Sequence, residues 1–188
     1  MLKKAAVAFA LTLGLAGCQS LPPVNFAVSN VGYSENKVDA ELRAITVSLA
    51  SPEEKTGDLP AGAEAAAPLW QSALEDAINR MAIFKDGAEK RVNLSVKVLA
   101  IDIPAFGASM TTKSAARYEI IDRANGDIIF TQDINSEGVV PFDYAFIGMI
   151  RARESLNRSV QQNIAQFLQA LETVDVSKPM FPAKVPQK

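Results

Sequence analysis

The sequence predicts a two-layer α+β fold: an antiparallel or mixed sheet of about four strands with two helices on one face, in the order β-α-β-β-β-α. Three observations point to it. Two long segments repeat apolar residues every three or four positions, the period of one helical face. Several shorter runs alternate apolar with polar residues, the period of a half-buried strand. Asn125-Gly126 falls between two of those runs and is a strong hairpin signal. A sheet carrying both helices on one face is the economical way to bury two amphipathic stripes.

Taken in order, Ile45, Val47 and Leu49 alternate with Thr46 and Ser48 and predict the first strand. A long loop over 51–67 follows, with Pro52, Pro60 and a Gly57-Asp58-Leu59-Pro60 turn. Pro68 suits the first turn of a helix, where the missing amide hydrogen costs nothing. From Leu69 onward, Trp70, Leu74, Ala77, Ile78, Met81 and Phe84 form that helix's apolar face, with Asp86-Gly87 as the expected C-cap. Val92, Leu94, Val96 and Val98 then alternate as the second strand. The phase slips at Leu99, Ile101 and Ile103, which predicts a bulge or a bend. The turn Pro104-Ala105-Phe106-Gly107 closes it. Ala116, Tyr118 and Ile120 mark the third strand, and Ile128, Phe130 and Ile134 the fourth. Residues 138–141, from Gly138 to Pro141, read as a break. A second, longer helix then presents Ala152, Leu156, Val160, Ile164, Phe167, Leu168 and Leu171 on one side, with Arg153, Asn157, Gln161 and Gln169 elsewhere on its surface.

The start of the chain has a different character. Lys3 and Lys4 form a basic n-region, and 5–15 is an apolar run. That run is shorter than the roughly 20 residues a membrane span needs and matches a secretory h-region. It ends in Leu15-Ala16-Gly17-Cys18 rather than an Ala-x-Ala-like site. These residues predict a signal peptide over 1–17 with cleavage between Gly17 and Cys18, a lipidated N-terminus and tether over 18–40, one α+β domain over 41–174, and a flexible tail over 175–188. Residues 19–37 read either as a loose tether or as an extended arm lying on the domain. Fully extended, such a segment would reach roughly 65 Å.

Composition narrows the chemistry. Loss of Lys3 and Lys4 with the signal sets 17 basic against 21 acidic residues, a net charge of −4 in the mature chain. No basic excess exists to grip a nucleic-acid backbone. The chain has 0 His and 1 Cys. Ser-His-Asp and Cys-His catalysis and the usual zinc sites are therefore excluded, as is an internal disulfide. No cofactor, metal or catalytic residue is expected.

Several clusters invite a functional reading beside a plainer one. Asp122, Asp127 and Asp133 flank the hairpin but lack calcium-loop spacing, so solvated charges suit them better. Arg151, Arg153, Glu154 and Arg158 can pair along a helix face or offer a small basic patch to a phosphate or an anionic headgroup. Lys113 with Ser109 and Ser114 matches no Ser–Lys motif. Phe142, Tyr144, Phe146, Ile147, Met149 and Ile150 form the most apolar stretch of the mature chain. It either buries the first turns of the helix, the reading composition favours, or is exposed as a partner or lipid surface together with Arg151 and Arg153. Phe106 and Met110 pose the same choice.

Leu15-Ala16-Gly17-Cys18 resembles the lipobox of bacterial lipoproteins. The resemblance implies that the Cys18 thiol takes a diacylglycerol group, that cleavage follows before it, and that the new amino terminus receives a further chain such as palmitate. The lipobox and the element order, with Ala115-Ala116-Arg117-Tyr118-Glu119-Ile120-Ile121-Asp122, Asn125-Gly126-Asp127 and Asn163-Ile164-Ala165, resemble small Gram-negative envelope lipoproteins of the YajG type and the auxiliary lipoproteins of ABC-type lipid transporters. Gln19-Ser20 lack an aspartate retention signal, which by that resemblance implies the outer membrane, facing the periplasm. The expected partners are the membrane, through the lipid anchor, and an envelope protein or lipid. The chain also resembles alphaproteobacterial lipoproteins labelled UDP-N-acetylglucosamine acyltransferase. That enzyme family is a left-handed β-helix of hexapeptide repeats with a catalytic histidine, and this chain has neither. The leading expectation is a non-enzymatic accessory or binding module in envelope assembly or lipid trafficking. The alternatives are that enzyme activity and a structural lipoprotein contacting peptidoglycan.

Overall fold

The computed structural model describes residues 21–181, so Gly17, Cys18 and the rest of the lipobox lie outside the described residues. Strand β1 is Glu41–Leu49, helix α1 is Ala66–Met81, and strands β2, β3 and β4 are Arg91–Asp102, Met110–Asp122 and Ile128–Val140. Helix α2 is Gly148–Leu171, and short 3-10 turns precede each helix. The sheet order is β1-β2-β3-β4, with β1 parallel to β2 across the α1 crossover and the other pairs antiparallel. The predicted α+β order and two-layer arrangement are those observed, and the sheet is mixed.

Both helices cover one face. Val92, Leu94, Val96 and Val98 of β2, with Ala116, Tyr118 and Ile120 of β3, point into the layer filled by Trp70, Leu74 and Ile78 of α1 and by Val160, Ile164 and Phe167 of α2. Tyr118 stacks on Phe167 with ring centroids 4.2 Å apart. The opposite face is polar along most of its length; Arg117 pairs there with Asp133 at 2.6 Å. A small second cluster of Leu99, Ala100, Ala50 and Ala115 lies apart from the main core, with Leu59 packed against it. The register shift between Val98 and Ala100 that produces it is the bulge the phase slip predicts.

Four local expectations change. Helix α1 begins at Ala66 and ends at Met81. Its C-cap is Ala82, in the left-handed region at φ 49°, whose amide donates to the Ile78 carbonyl. Gly87 lies beyond the helix in the turn before β2. Ile83 and Phe84 leave the helix to pair with the N-terminal arm, where Val38 donates to Ile83 and bridges to Phe84. The hairpin connection is five residues, 123–127, not two; Asp122 and Asp127 close it and Gly126 takes φ 80°. Gly138 does not break the chain but sits inside β4, directly beneath α2. Asn157 is buried instead of lying on the helix surface.

Residues 21–40 lie along the domain. Phe26 is buried edge-on against Trp70, with centroids 6.1 Å apart. Asn157 holds the arm from α2: its Oδ1 accepts from the Asn25 amide at 3.0 Å, and its Nδ2 donates to the Pro23 carbonyl at 3.0 Å. Gln161 donates to the Asn25 carbonyl, and further along Glu172 accepts from Ser34 and Asn36. Arm and helix therefore run in the same direction, residue 22 near residue 153 and residue 36 near residue 172. At the other terminus, Met180 and Phe181 donate their amides to Ile129 and Ile128 of β4.

Candidate functional site

The apolar stretch over 142–150 divides in two. Ala145 and Ile150 are buried, whereas Phe142, Tyr144, Ile147 and Met149 are exposed and Phe146 is 86 % exposed. The β2–β3 loop brings Phe106, also 86 % exposed, to the same end of the sheet. Met110 is buried, its methyl group close to Gly148. Burying the first helical turns thus uses only part of the stretch, and most of its large side chains face outward.

Arg151 holds these loops in place. It is 4 % exposed, so it is not part of an accessible basic surface. One guanidinium nitrogen donates to the Ala145 and Phe146 carbonyls at 2.6 and 3.0 Å, and another donates to the Gly107 carbonyl at 3.1 Å. Its cation lies 5.0 Å from the Phe142 ring centroid. Among the described residues it pairs with no carboxylate, so carbonyl dipoles from two loops and a ring face balance its charge. The aromatic loops on either side are thereby tied to one side chain. Replacing it with methionine keeps much of the volume but removes the donor to the buried Ala145 carbonyl and to two part-buried carbonyls. We expect Arg151→Met to cost about 3 kcal/mol. Proteolysis should then become faster in the 104–109 and 141–147 loops first, which limited digestion with peptide mapping would read.

The remaining arginines of the cluster are also engaged. Arg158 donates to Glu154 at 2.8 Å and to the Val139 carbonyl at 3.0 Å, beneath the Tyr144 ring. Arg153 reaches the Pro22 carbonyl of the arm at 3.5 Å. They act as braces for the arm and the β4–α2 connection.

The hairpin carboxylates have partners too. Burial would raise the Asp122 carboxyl, but the Ala124 amide and the Lys90 ammonium, 3.0 Å away, hold it below its ordinary value. The Arg117 guanidinium holds Asp133 low in the same way. The Asp127 carboxylate accepts from the Asn125 side-chain amide, and the Asp127 backbone amide donates to Asn125 Oδ1. Among the described residues no group of His, Cys, Asp or Glu has a metal-binding arrangement. Lys113 is exposed and pairs with Glu137 at 3.4 Å, while Ser114 is buried between strand and helix, so the two do not form a catalytic pair.

The polar feature that pattern reading missed runs beneath α2. Ser155, Ser159 and Asn163, spaced by four, face Thr112, Ser114 and Ser136 of the sheet. Thr112 bonds to Ser155 at 2.7 Å, Ser159 donates to Ser114 at 2.8 Å, and Ser136 donates to the Ser159 carbonyl at 2.9 Å. Asn163 donates to the Ile134 carbonyl and to Ser136, and accepts from the Tyr118 hydroxyl at 2.8 Å. Tyr118 in turn accepts from the Trp70 indole at 3.2 Å, linking α1, β3 and α2. Desolvation pushes the Tyr118 phenol far above its ordinary value, so it stays a donor. These buried hydroxyls bond to one another and to backbone. Their spacing by four was visible in the sequence, but a search for apolar stripes passes over serine.

Two surface hollows near the β2–β3 loop, about 370 and 410 Å³, share Asp102 and Lys113. An apolar pocket beside the arm, lined by Val24, Phe26, Leu69, Ile103 and Leu156 among others, holds about 220 Å³. That is below the usual range for a small-molecule site, roughly 300–1,000 Å³. The largest of the surface hollows described, about 650 Å³, lies at the hairpin end between the charged residues Glu89, Arg91 and Arg123. No helix among the described residues is long and apolar enough to cross a membrane.

Sheet, helices and arm together define a small α+β domain with one mixed sheet covered on one face. No family model and no curated protein matches the chain. Among solved structures it is similar to a Xanthomonas campestris protein of the DUF330 family, at TM-score 0.52 and 11 % identity, over 78 % of this chain and 90 % of that one. More distant are the PelC dodecamer of Paraburkholderia phytofirmans, at TM-score 0.42 and 15 % identity over 73 % and 91 % of the two chains, and a minor lipoprotein of Acinetobacter baumannii, at TM-score 0.43 and 11 % identity over 72 % and 92 %. The first likeness is one of fold. The architecture is not the β-helix of the acyltransferase family.

Proposed function

We propose that this chain is a lipoprotein of the bacterial cell envelope, anchored in the outer membrane through Cys18 and facing the periplasm. Its domain is a non-enzymatic binding or accessory module in envelope assembly or lipid trafficking. The observation that carries this reading is Leu15-Ala16-Gly17-Cys18, in register behind Lys3, Lys4 and the apolar run over 5–15. Each buried methylene of an anchor contributes about 0.8 kcal/mol, and two or more chains hold a protein stably. The domain then needs only to present a surface. Support for binding over turnover comes from the buried hydroxyls, which are engaged with one another, and from the aromatic loops, which Arg151 holds outward. The small apolar pocket favours contact through a surface over carriage of a whole lipid inside the domain.

Cys18→Ala tests the anchor. The variant should lose diacylglycerol attachment and shift from the outer-membrane fraction to the soluble fraction after its signal is removed, or stay as an unprocessed precursor. A Cys18→Ala protein that fractionates with the outer membrane as a mature chain would overturn the reading.

A further inference from the structure

We infer that the end of the domain carrying Phe106, Phe142, Phe146, Ile147 and Met149 rests in the interface of the bilayer that holds the anchor; this depends on lipidation of Cys18. The argument starts from where the described chain begins. The arm runs alongside α2 in the same direction, and Arg153 meets Pro22 only five residues from the start of that helix at Gly148. Five helical residues rise about 7.5 Å. From Leu21 back to Cys18 is three residues, which reach at most about 11 Å. The lipid-bearing residue must therefore emerge close to the N-terminal end of α2, not tens of ångströms from the domain. A tether of the full 18–40 length is not available, because Phe26, Val28 and Val38 are already buried.

That end of the molecule is the apolar one. Phe106 and Phe146, on two loops that Arg151 ties together, are each 86 % exposed, and Met149 in the first turn of α2 is 68 % exposed. Strands of about 12 residues place the hairpin roughly 40 Å away at the other end. There the hairpin presents Arg91, Arg123, Asn125 and Asp127, and the exposed Met180 and Phe181 lie beside the first residues of β4. An exposed apolar group of this size has a use. A short leash to an acyl anchor on the same side makes the bilayer its occupant: aromatic rings sit favourably at the headgroup boundary, and apolar side chains bury just below it. The domain is thus seated on the membrane with its hairpin end directed away.

The test uses the full-length protein, expressed with its signal, purified in its mature form and reconstituted in phosphatidylethanolamine–phosphatidylglycerol vesicles. Single cysteines are placed by Ala105→Cys, Met149→Cys and Asn125→Cys and coupled to a thiol-reactive nitroxide. Lipidated Cys18 has no free thiol, so the parent protein should take up no label. On the reconstituted protein, labels at 105 and 149 should collide rarely with a water-soluble nickel complex and often with oxygen. The label at 125 should show the reverse, with frequent nickel collisions. Labels at 105 and 149 that stay fully nickel-accessible on vesicle-bound protein would overturn the seating while leaving the anchor intact. Label uptake at Cys18 in the parent would instead overturn lipidation.

Discussion

Gly138→Ala should lower the stability of the domain by about 3 kcal/mol or more, at the upper end of what overpacking costs. Residue 138 lies in β4 where α2 crosses it, and a Cβ there would collide with the Ser155 carbonyl oxygen and the Ser159 amide nitrogen and lie 3.0 Å from the Arg158 carbonyl carbon. All three are backbone atoms, so no rotamer change relieves the clash. The helix would have to lift, and lifting it lengthens the hydrogen bonds from Ser159, Ser136 and Asn163 that cross the interface. For a domain of this size each kcal/mol moves Tm by about 2–4 °C, so the variant should melt roughly 10 °C early. Val139→Ala, at the exposed neighbouring position, is the matched control and should stay within about 0.5 kcal/mol of the parent. Thermal unfolding followed by circular dichroism reads both. Equal, small effects at 138 and 139 would mean that helix and strand are not in contact as described.

The second large effect is expected at Asn163. Asn163→Leu preserves size but removes the acceptor of the Tyr118 hydroxyl and the donor to Ile134 and Ser136, all in a buried layer. Stranded buried groups cost about 1–3 kcal/mol each, and partial rearrangement should leave a net loss of about 3 kcal/mol. The network makes a sharper claim than the single variant. In a Tyr118→Phe background the hydroxyl that needs the acceptor is gone, so Asn163→Leu should cost about 1 kcal/mol less. Denaturant titration of the parent, the two single variants and the double variant measures that coupling. Strict additivity would show that the two side chains do not act through one hydrogen bond.

These two sites also show what a pattern of apolar residues conveys and what it leaves out. The alternation in β2 and its slip after Val98 placed the bulge, because a change of phase has one geometric meaning in a strand. The helical stripe placed Trp70 in the core for the same reason. Gly138 had no such unique meaning: a glycine before Val-Val-Pro reads equally as a break or as a close approach, and only the position of α2 decides. Ala82 in the left-handed region carries no compositional mark, so the C-cap was sought at Gly87. Arg151 and Asn157 are polar residues that bury themselves by satisfying carbonyls and amides distant in sequence, of the 104–109 loop and of the arm. The exposure of the 142–150 stretch was likewise beyond the pattern. Phe142, Tyr144 and Phe146 alternate with the period of a strand but Ile147, Met149 and Ile150 break it, so the run shows what it is made of without showing which way it faces.

The proposed function rests on a lipid anchor at Cys18, and the mass of the mature chain tests that proposal most directly. Protein expressed with its own signal and extracted from the envelope should give, after digestion, an N-terminal peptide that begins at Cys18 and carries a diacylglycerol thioether and an acylated amine. Its intact mass should match residues 18–188 plus those groups. An N-terminal peptide beginning before Cys18, or one with a free Cys18 thiol, from the protein that resides in the envelope would contradict the account.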